Sequence, residues 1–423
     1  MTAADTTPKV FEQTVARQPE RVALRQKTFG LWRYMSWQTY FDQVRQIGSA
    51  LIAMGLQPGE CVGIIGDNCP EWVLADMAVQ CAGGVSVGIY ATNAWQQVQF
   101  IVDHAETTFL FVENEEQLDK WLMFRDQAPS LRKVIVWDLE GLQQFEDPLV
   151  MTFEALQETG RQAVKDAPEA LPRRMQQVKP DDLSVLIYTS GTTGPPKGAM
   201  LTHRNVTWMA RAVTHDNPIH RSDEVLSFLP LCHIFERLFS VFAHITHGYV
   251  VNFVEKPDTV TDNMVEVSPT VGYAVPRIWE KLQQVVLAHL VSLEELEAAK
   301  ASGDVEAVSQ KVKSFLGLED TEYILTSTAP TPAPLKAWYA DLGIVLYDGY
   351  GQSEILPVCG NQPDDRKIDS IGVAAEGVEI KIAEDGIMVN IRTGAPAEPD
   401  GGRRRIVGLR PGARSSSSIS LAR

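Results

Sequence analysis

Residues 188–198 read Y-T-S-G-T-T-G-P-P-K-G, which places five hydroxyl side chains, three glycines and one lysine within eleven positions. That mixture suits an anion. Gly191 and Gly194 free the backbone to turn N–H groups toward a phosphate, while Ser190, Thr192 and Thr193 add donors and Lys197 adds a mobile positive charge. Pro195 and Pro196 stiffen the approach to that lysine. The string is not a Walker A loop, because the gap from Gly191 to Gly194 is too short for that pattern. The plain alternative is a surface loop with an incidental lysine, and the ordered string argues against it.

Three further strings carry candidate chemistry. Residues 348–354 read D-G-Y-G-Q-S-E: Gly349 and Gly351 flank Tyr350, whose ring can lie flat on a purine. There Ser353 offers a hydroxyl, and Glu354 a hard oxygen ligand of the kind Mg²⁺ takes. Taken alone, the string is a glycine-rich turn. Residues 229–237 read L-P-L-C-H-I-F-E-R, with His233 on an apolar run; such a histidine is more often a satisfied core residue than a working one. Residues 327–330 read S-T-A-P and residues 275–281 read V-P-R-I-W-E-K, the latter equally a helix start with proline in its first turn.

Together and in this order, these strings resemble the AMP-forming adenylate-forming superfamily: acyl-CoA synthetases, luciferases and peptide-synthetase adenylation domains. T-S-G-T-T-G-P-P-K-G is similar to that family's nucleotide loop. Y-G-Q-S-E resembles its Y-G-x-T-E motif, with Ser353 replacing the usual Thr, and S-T-A-P resembles its G-A-P-like strand end, with Thr328 an imperfect match. The L-P-L-C-H-I-F-E-R and V-P-R-I-W-E-K strings resemble segments of the long-chain fatty acyl-CoA synthetases. The resemblance covers about residues 8–389.

It implies ATP-dependent activation of a long-chain fatty acid to acyl-AMP, followed by transfer to coenzyme A. It further implies that Ser190, Gly191, Thr192, Thr193, Gly194 and Lys197 hold the β,γ-phosphates, and that Thr189 and Glu354 assist Mg²⁺. Ser353 would meet the α-phosphate, and Tyr350 with Ala329 and Pro330 would frame adenine. Thr328, Asp348, Gly349, Gly351 and Gln352 join the nucleotide site. His233 would sit by the acyl carboxylate and the thiol path, and Lys197, His233 and Glu354 are the expected catalytic residues. An acyl-AMP ligase serving a carrier protein, or a non-catalytic ATP- and fatty-acid-binding remnant, are the alternative readings.

The elements that must position these strings follow from periodicity. A helix is expected over 10–17, a hairpin around Phe29-Gly30, and a long helix from Ser36 in which Tyr40, Val44, Ile47, Leu51 and Met54 recur at helical spacing. Strands at 61–65, 83–89, 109–112 and 133–137 alternate with helices at 70–81, 94–104 and 118–125. This alternation predicts a parallel α/β sheet, which binds ligands beyond the carboxyl ends of its strands. Residues 157–180, punctuated by Pro168, Pro172 and Pro180, read as a connector. The loop's flanks, 184–188 and 199–201, are apolar, and Thr202 has the type of a helix N-cap.

Beyond it come a helix at 206–213, a strand at 224–229 and a helix-like stretch at 231–244. A second alternation then runs through strands at 249–254 and 272–275 and helices at 262–267 and 277–290. Residues 294–316 read as one solvated, charge-laced helical stretch, and residues 343–347 as a strand. After Pro357 the texture is β, with Asp385-Gly386 as a hairpin turn between alternating runs. The expected fold is α/β: two stacked α/β subdomains with parallel-type sheets plus the start of a β-rich subdomain. The expected domains are a large adenylation domain over 8–389, β-rich from about 358, and a disordered tail over 390–423, whose glycines, arginines and serines bury little.

Composition bounds the function. The chain has 423 residues, 44% hydrophobic and 22% charged, with a net charge of −16 and pI near 5.0, a balance that argues against a general nucleic-acid binder. Five cysteines without C-x-x-C spacing read as reduced thiols, which with no visible signal peptide suggests a cytoplasmic protein. The longest uncharged apolar stretch, 238–254, is shorter than the roughly 20 residues a spanning helix needs, and peripheral membrane contact stays open. Oligomeric state is not legible. The family's T-G-D motif has no counterpart, since Arg392-Thr393-Gly394 is followed by Ala395, and no hinge or small C-terminal domain follows. Truncation or a shifted reading frame near Val389, with impaired activity, is the expectation.

Overall fold

The computed structural model describes residues 5–189, 195–215, 217, 219–368, 370–383 and 386–388. These fall into two compact units. The first comprises the described residues of Met1–Ala210 together with His220–Val260, the second those of Arg211–Ile219 and from Thr261 onward.

The first unit opens with helix α1 (Thr7–Arg17) and a hairpin, β1 (Val22–Thr28) and β2 (Leu31–Ser36). Phe29 and Gly30 both take positive φ (50° and 74°), the two-residue turn whose twist matches antiparallel strands. Helix α2 (Trp37–Ala53) starts where the Ser36 hydroxyl accepts the Thr39 N–H at 3.1 Å, and Tyr40, Val44, Ile47 and Leu51 are buried along one face, as their spacing predicts. Then follow β3 (Cys61–Ile65), α3 (Pro70–Cys81), β4 (Val85–Ile89), α4 (Trp95–His104), β5 (Phe109–Val112), α5 (Glu115–Leu122), β6 (Lys133–Val136) and β7 (Val150–Thr152).

Residues 157–180 are not a connector. They fold as helices α6 (Phe153–Asp166) and α7 (Ala170–Gln177). Helix α6 approaches α2 so closely that a Cβ on Gly160 would lie 2.1 Å from the Gln46 carbonyl oxygen. In α7, Leu171 and Met175 are buried. The few apolar residues are the ones that pack, and the charged remainder masks their period.

Strands β8 (Leu183–Thr189) and β9 (Lys197–Thr202) complete the principal sheet, and helix α8 (His203–His215) follows. Its order is β7-β6-β5-β3-β4-β8-β9, parallel throughout except for β9, which returns antiparallel to β8. The strand order reverses at β3, which has β4 on one side and β5 on the other.

A four-stranded sheet, order β10-β11-β1-β2, is made by β10 (Glu224–Ser227) and β11 (Val250–Phe253) beside the N-terminal hairpin. The strand expected at 249–254 therefore does not begin the second alternation; it pairs in parallel with both β1 and β10. The stretch 231–244 is also broken, into α9 (Ile234–Arg237), a π-helical segment Leu238–Ala243 and α10 (His244–His247). Helix α3 touches both sheets and is buried nearly all round, the pattern of a central helix.

The second unit contains α11 (Val260–Val267), β12 (Val271–Ala274), α12 (Pro276–His289), α13 (Leu293–Ser302), α14 (Val305–Leu316), β13 (Tyr323–Thr326), α15 (Ala333–Asp341), β14 (Leu346–Gln352), β15 (Ile355–Gly360) and β16 (Val373–Ala374). Its sheet runs β12-β13-β14-β15-β16, parallel across the first three strands and antiparallel thereafter. The stretch 294–316 is two helices rather than one, divided at Gly303, which takes a φ of +79°. The strand expected at 343–347 begins later and runs through Gln352. The reason is local: Gly343, at φ +66°, caps α15, and the Ile344 N–H turns back to the Tyr339 carbonyl. The expected late hairpin forms from β17 (Lys381–Ala383) and β18 (Gly386–Met388), while Asp385 and the tail over 390–423 lie outside the described residues. The α/β class with parallel-type sheets is as read from the sequence.

Candidate active site

In the first unit the phosphate-type string sits on the β8–β9 hairpin. Thr189 ends β8, Lys197 begins β9, and the two are cross-strand partners. Ser190, Gly191, Thr192, Thr193 and Gly194 lie outside the described residues. Lys197 is exposed and Thr189 half-buried. One strand position deeper, the Tyr188 ring covers Gly198, where an added Cβ would come within 3.3 Å of the ring. Its hydroxyl is hydrogen bonded to His104 Nδ1 at 2.7 Å, and the His104 ring stacks on Phe100. Burial pushes the Tyr188 phenol up to about 12, which keeps it protonated in this bond. Past β9, the Thr202 hydroxyl accepts the Asn205 N–H at 3.2 Å, and Asn205 reciprocates to the Thr202 N–H at 3.0 Å. Thr202 is thus the N-cap its type suggested.

The 229–237 string forms the entry to α9. His233 is its N-cap: Nδ1 accepts the Phe235 N–H at 3.2 Å, so the proton of the neutral ring sits on Nε2. Partial burial of the imidazole lowers its pKa, favouring that neutral form. The next charged pair is structural. Glu236 and Arg237 are both 0% exposed. Glu236 accepts the Ser227 hydroxyl at 2.6 Å and the Ser240 hydroxyl at 2.5 Å, and Arg237 Nε donates to Asp76 at 3.2 Å while Nη2 donates to Ser86 at 2.7 Å.

Behind these two strings runs a buried polar chain through α3. Arg237 binds Asp76, which accepts from Gln80 Nε2 at 3.0 Å; Gln80 Oε1 accepts the hydroxyls of Ser184 on β8 and Thr7, each at 2.7 Å. Thr7 Oγ1 lies 2.8 Å from His203 Nδ1, and the Thr7 N–H donates to the same ring nitrogen at 3.4 Å.

In the second unit, Thr326 on β13 is in register with Asp348 on β14, so the S-T-A-P and G-Y-G-Q-S-E strings leave adjacent parallel strands at one level. Ser327 is buried, while Thr328, Ala329 and Pro330 are exposed. Thr328 has a φ of +75°. Gly349, Tyr350, Gly351 and Gln352 belong to β14 itself, and Ser353 with Glu354 forms the tight turn into β15. Gly351 has no room for a side chain: a Cβ would lie 2.2 Å from Leu356 Cδ1. Tyr350 is half-buried, and its hydroxyl accepts from Gln352 Nε2 at 2.9 Å. Glu354 is exposed.

Asp348 faces inward, in an ion pair with Lys336 of α15, each side chain 6% exposed. Lys336 was missed in the sequence, where a lone lysine among Leu335, Trp338 and Tyr339 was its one signal. The V-P-R-I-W-E-K string supplies the start of α12, with Pro276 in the first turn, as its plainer reading has it.

Comparison with known proteins adds to this geometry. The AMP-binding enzyme family model matches residues 11–398. The chain belongs to the AMP-binding enzyme family. It is 32% identical over 410 residues to the long-chain-fatty-acid–CoA ligase ACSBG2 of Xenopus laevis, covering 88% of this chain and 54% of that protein. To ACSBG2 of Homo sapiens it is 31% identical over 383 residues, 82% of this chain and 56% of that protein. The chain thus spans about half the length of these relatives. Two solved structures share the fold. The anthranilate CoA ligase AuaEII in complex with anthranoyl-AMP superposes with TM-score 0.73 at 21% identity, covering 93% of this chain and 68% of that one. The N-terminal domain of FACL13 from Mycobacterium tuberculosis gives 0.67 at 21%, covering 90% and 86%. Among the described residues, no helix is long and apolar enough to cross a membrane.

Proposed function

We propose that this family member activates a long-chain fatty acid, its carboxylate attacking the α-phosphorus of ATP to give acyl-AMP and pyrophosphate, and then passes the acyl group to the thiol of coenzyme A, whose sulfur displaces AMP from the acyl carbon. The likeness to long-chain-fatty-acid–CoA ligases over 410 residues carries the reading, because every string described above falls within the stretch matched by the family. The geometry supports it: Thr189 and Lys197 stand opposite each other at the two ends of a glycine- and hydroxyl-rich loop.

In this reading Lys197 neutralises charge on the β,γ-phosphates together with Ser190, Gly191, Thr192, Thr193 and Gly194. Ser353 meets the α-phosphate, Tyr350 with Ala329 and Pro330 frames adenine, and His233 presents its Nε2 proton to the acyl carboxylate. Asp348, paired with Lys336, acts by holding the strand end that carries Tyr350. Thr189 and Glu354 offer only hard oxygen atoms, which fits Mg²⁺, an ion that takes one or two protein groups and keeps its waters. When bound, it supplies Lewis-acid stabilisation of phosphate charge. Residues 8–389 would form the adenylation large domain, β-rich from about 358. Five unpaired cysteines support a reducing compartment such as the cytoplasm.

The test is palmitate-dependent ATP–pyrophosphate exchange with this chain. We expect exchange that requires palmitate, lowered roughly a hundredfold by Lys197→Ala, the scale of losing one charge-stabilising group. Undiminished exchange in Lys197→Ala would remove that residue from the site, and no palmitate dependence in the wild type would overturn the ligase reading.

A further inference from the structure

The segment leading from β10 into α9 ends on His233, and its backbone is held by a side chain outside every string described above. Asn68 follows β3, the strand at which the sheet order reverses, where open α/β sheets place their ligand crevices. Its amide makes three hydrogen bonds to this one segment. Nδ2 donates to Ser227 Oγ at 2.9 Å and to the Leu229 carbonyl at 2.6 Å, and Oδ1 accepts the Leu231 N–H at 3.1 Å.

Glu236 grips the same stretch from the other end, accepting the Ser227 hydroxyl at 2.6 Å and the Leu229 N–H at 3.2 Å. Beneath lies Gly88 of β4, where an added Cβ would stand 2.8 Å from Cys232 Cα, so the backbone beside His233 rests directly on the sheet. The His233 N–H then donates to the Pro230 carbonyl at 2.9 Å, and its ring is tied to the Phe235 N–H. Little freedom is left to the imidazole once residues 227–232 are held.

We propose that Asn68 is a positioning residue for His233, fixing the 227–231 backbone so that the ring keeps its place and its Nε2–H form. The proposal rests on the reading of His233 as the group beside the acyl carboxylate. The clamp needs two donations and one acceptance from one planar group. A carboxylate of the same shape retains the acceptance but sets negative charge against the Leu229 carbonyl, so Asn68→Asp is close in size and opposite in effect. Asn68→Ala drops all three bonds.

The experiment uses the full chain with ¹⁵N-labelled histidine, the His233 signals being assigned with His233→Gln. In the wild type, Nδ1 resonates as an unprotonated acceptor and Nε2 as a protonated nitrogen. In Asn68→Asp and Asn68→Ala both signals move toward those of a freely exchanging imidazole. At the same time the palmitate dissociation constant rises about tenfold or more, while that for ATP changes less than about twofold, as expected when one reacting group is misplaced. Leu156→Ala, cut from the buried face of α6, lowers the melting temperature and leaves the His233 signals in place.

Unmoved His233 nitrogens in both Asn68 variants would overturn the proposal. So would equal movement in Leu156→Ala, or parallel weakening of palmitate and ATP, since either marks a purely structural role. Should the wild type bind no palmitate, the acyl reading fails on its own account, and the His233 signals still decide whether Asn68 positions the ring.

Discussion

Thr328 holds a φ of +75°, where a β-branched side chain is a genuine outlier and glycine is at home. The residue is exposed two positions past the end of β13, whose last residue, Thr326, is in register with Asp348 on β14, and strain of this kind gathers where a backbone is shaped for a ligand. In the sequence Thr328 was visible only as an imperfect match to a G-A-P-like pattern. Its conformation explains why that mismatch matters. Thr328→Gly should raise the unfolding free energy by about 1 kcal/mol, relief of strain outweighing the added freedom of glycine in the unfolded chain. A urea titration decides it, and an unchanged or lower midpoint would mean that the surrounding loop carries no strain at this residue. Tyr188 was equally legible as the last apolar residue before the loop, but its partner His104, far earlier in the chain, was not.

Helix α3 shows how an element can be read correctly and its purpose missed. Its bounds, Pro70–Cys81, are those the apolar run predicted. Two polar residues within that run, Asp76 and Gln80, are 0% exposed and link Arg237 of α9 to Ser184 of β8 and, through Thr7, to His203 of α8. A charge so placed depends on its partner. Arg237→Met should destabilise the protein by about 3–5 kcal/mol by leaving Asp76 buried and unpaired, whereas Asp76→Leu combined with Arg237→Met should recover most of that loss. Chemical denaturation of the two variants checks this, and a double variant as unstable as the single would show that packing of the guanidinium over Trp72, 5.0 Å from the ring, matters more than charge. Helices α6 and α7 failed in the opposite sense: prolines and charges suggested a connector, while Leu156, Leu171 and Met175 were enough to dock both helices.

Across the whole molecule, buried histidines set the response to acid. Burial lowers the His203 pKa from 6.5 to about 4 and that of His244 to about 3; Asp182 opposes the shift at His203 and Lys9 reinforces it. Because the unfolded chain binds these protons more readily, the stability they confer is complete above pH 6.5 and is lost as the pH falls toward the folded values. For His203 the loss from pH 7.5 to pH 5.0 is about 2 kcal/mol. Asp67, Glu71 and Glu113, whose carboxyls burial pushes up, act with the opposite sign at lower pH. Urea unfolding at the two pH values should therefore show a smaller drop for His203→Gln than for the wild type. Equal drops would show that His203 takes up its proton without cost in the fold.

The amino-acid sequence alone determined the strings that carry the chemistry, the alternation of strands and helices that makes an α/β fold, and most element bounds, because periodicity, caps and turn residues act over a few positions. The tertiary structure decided which strands share a sheet, as when β11 joined β1 and β10. It also decided which polar side chains meet: Asn68 with residues 227–231, Asp76 with Arg237, and Asp348 with Lys336. The physical reason is that a polar group withdrawn from water must find a partner, and that partner is chosen by proximity in space, which no local pattern records.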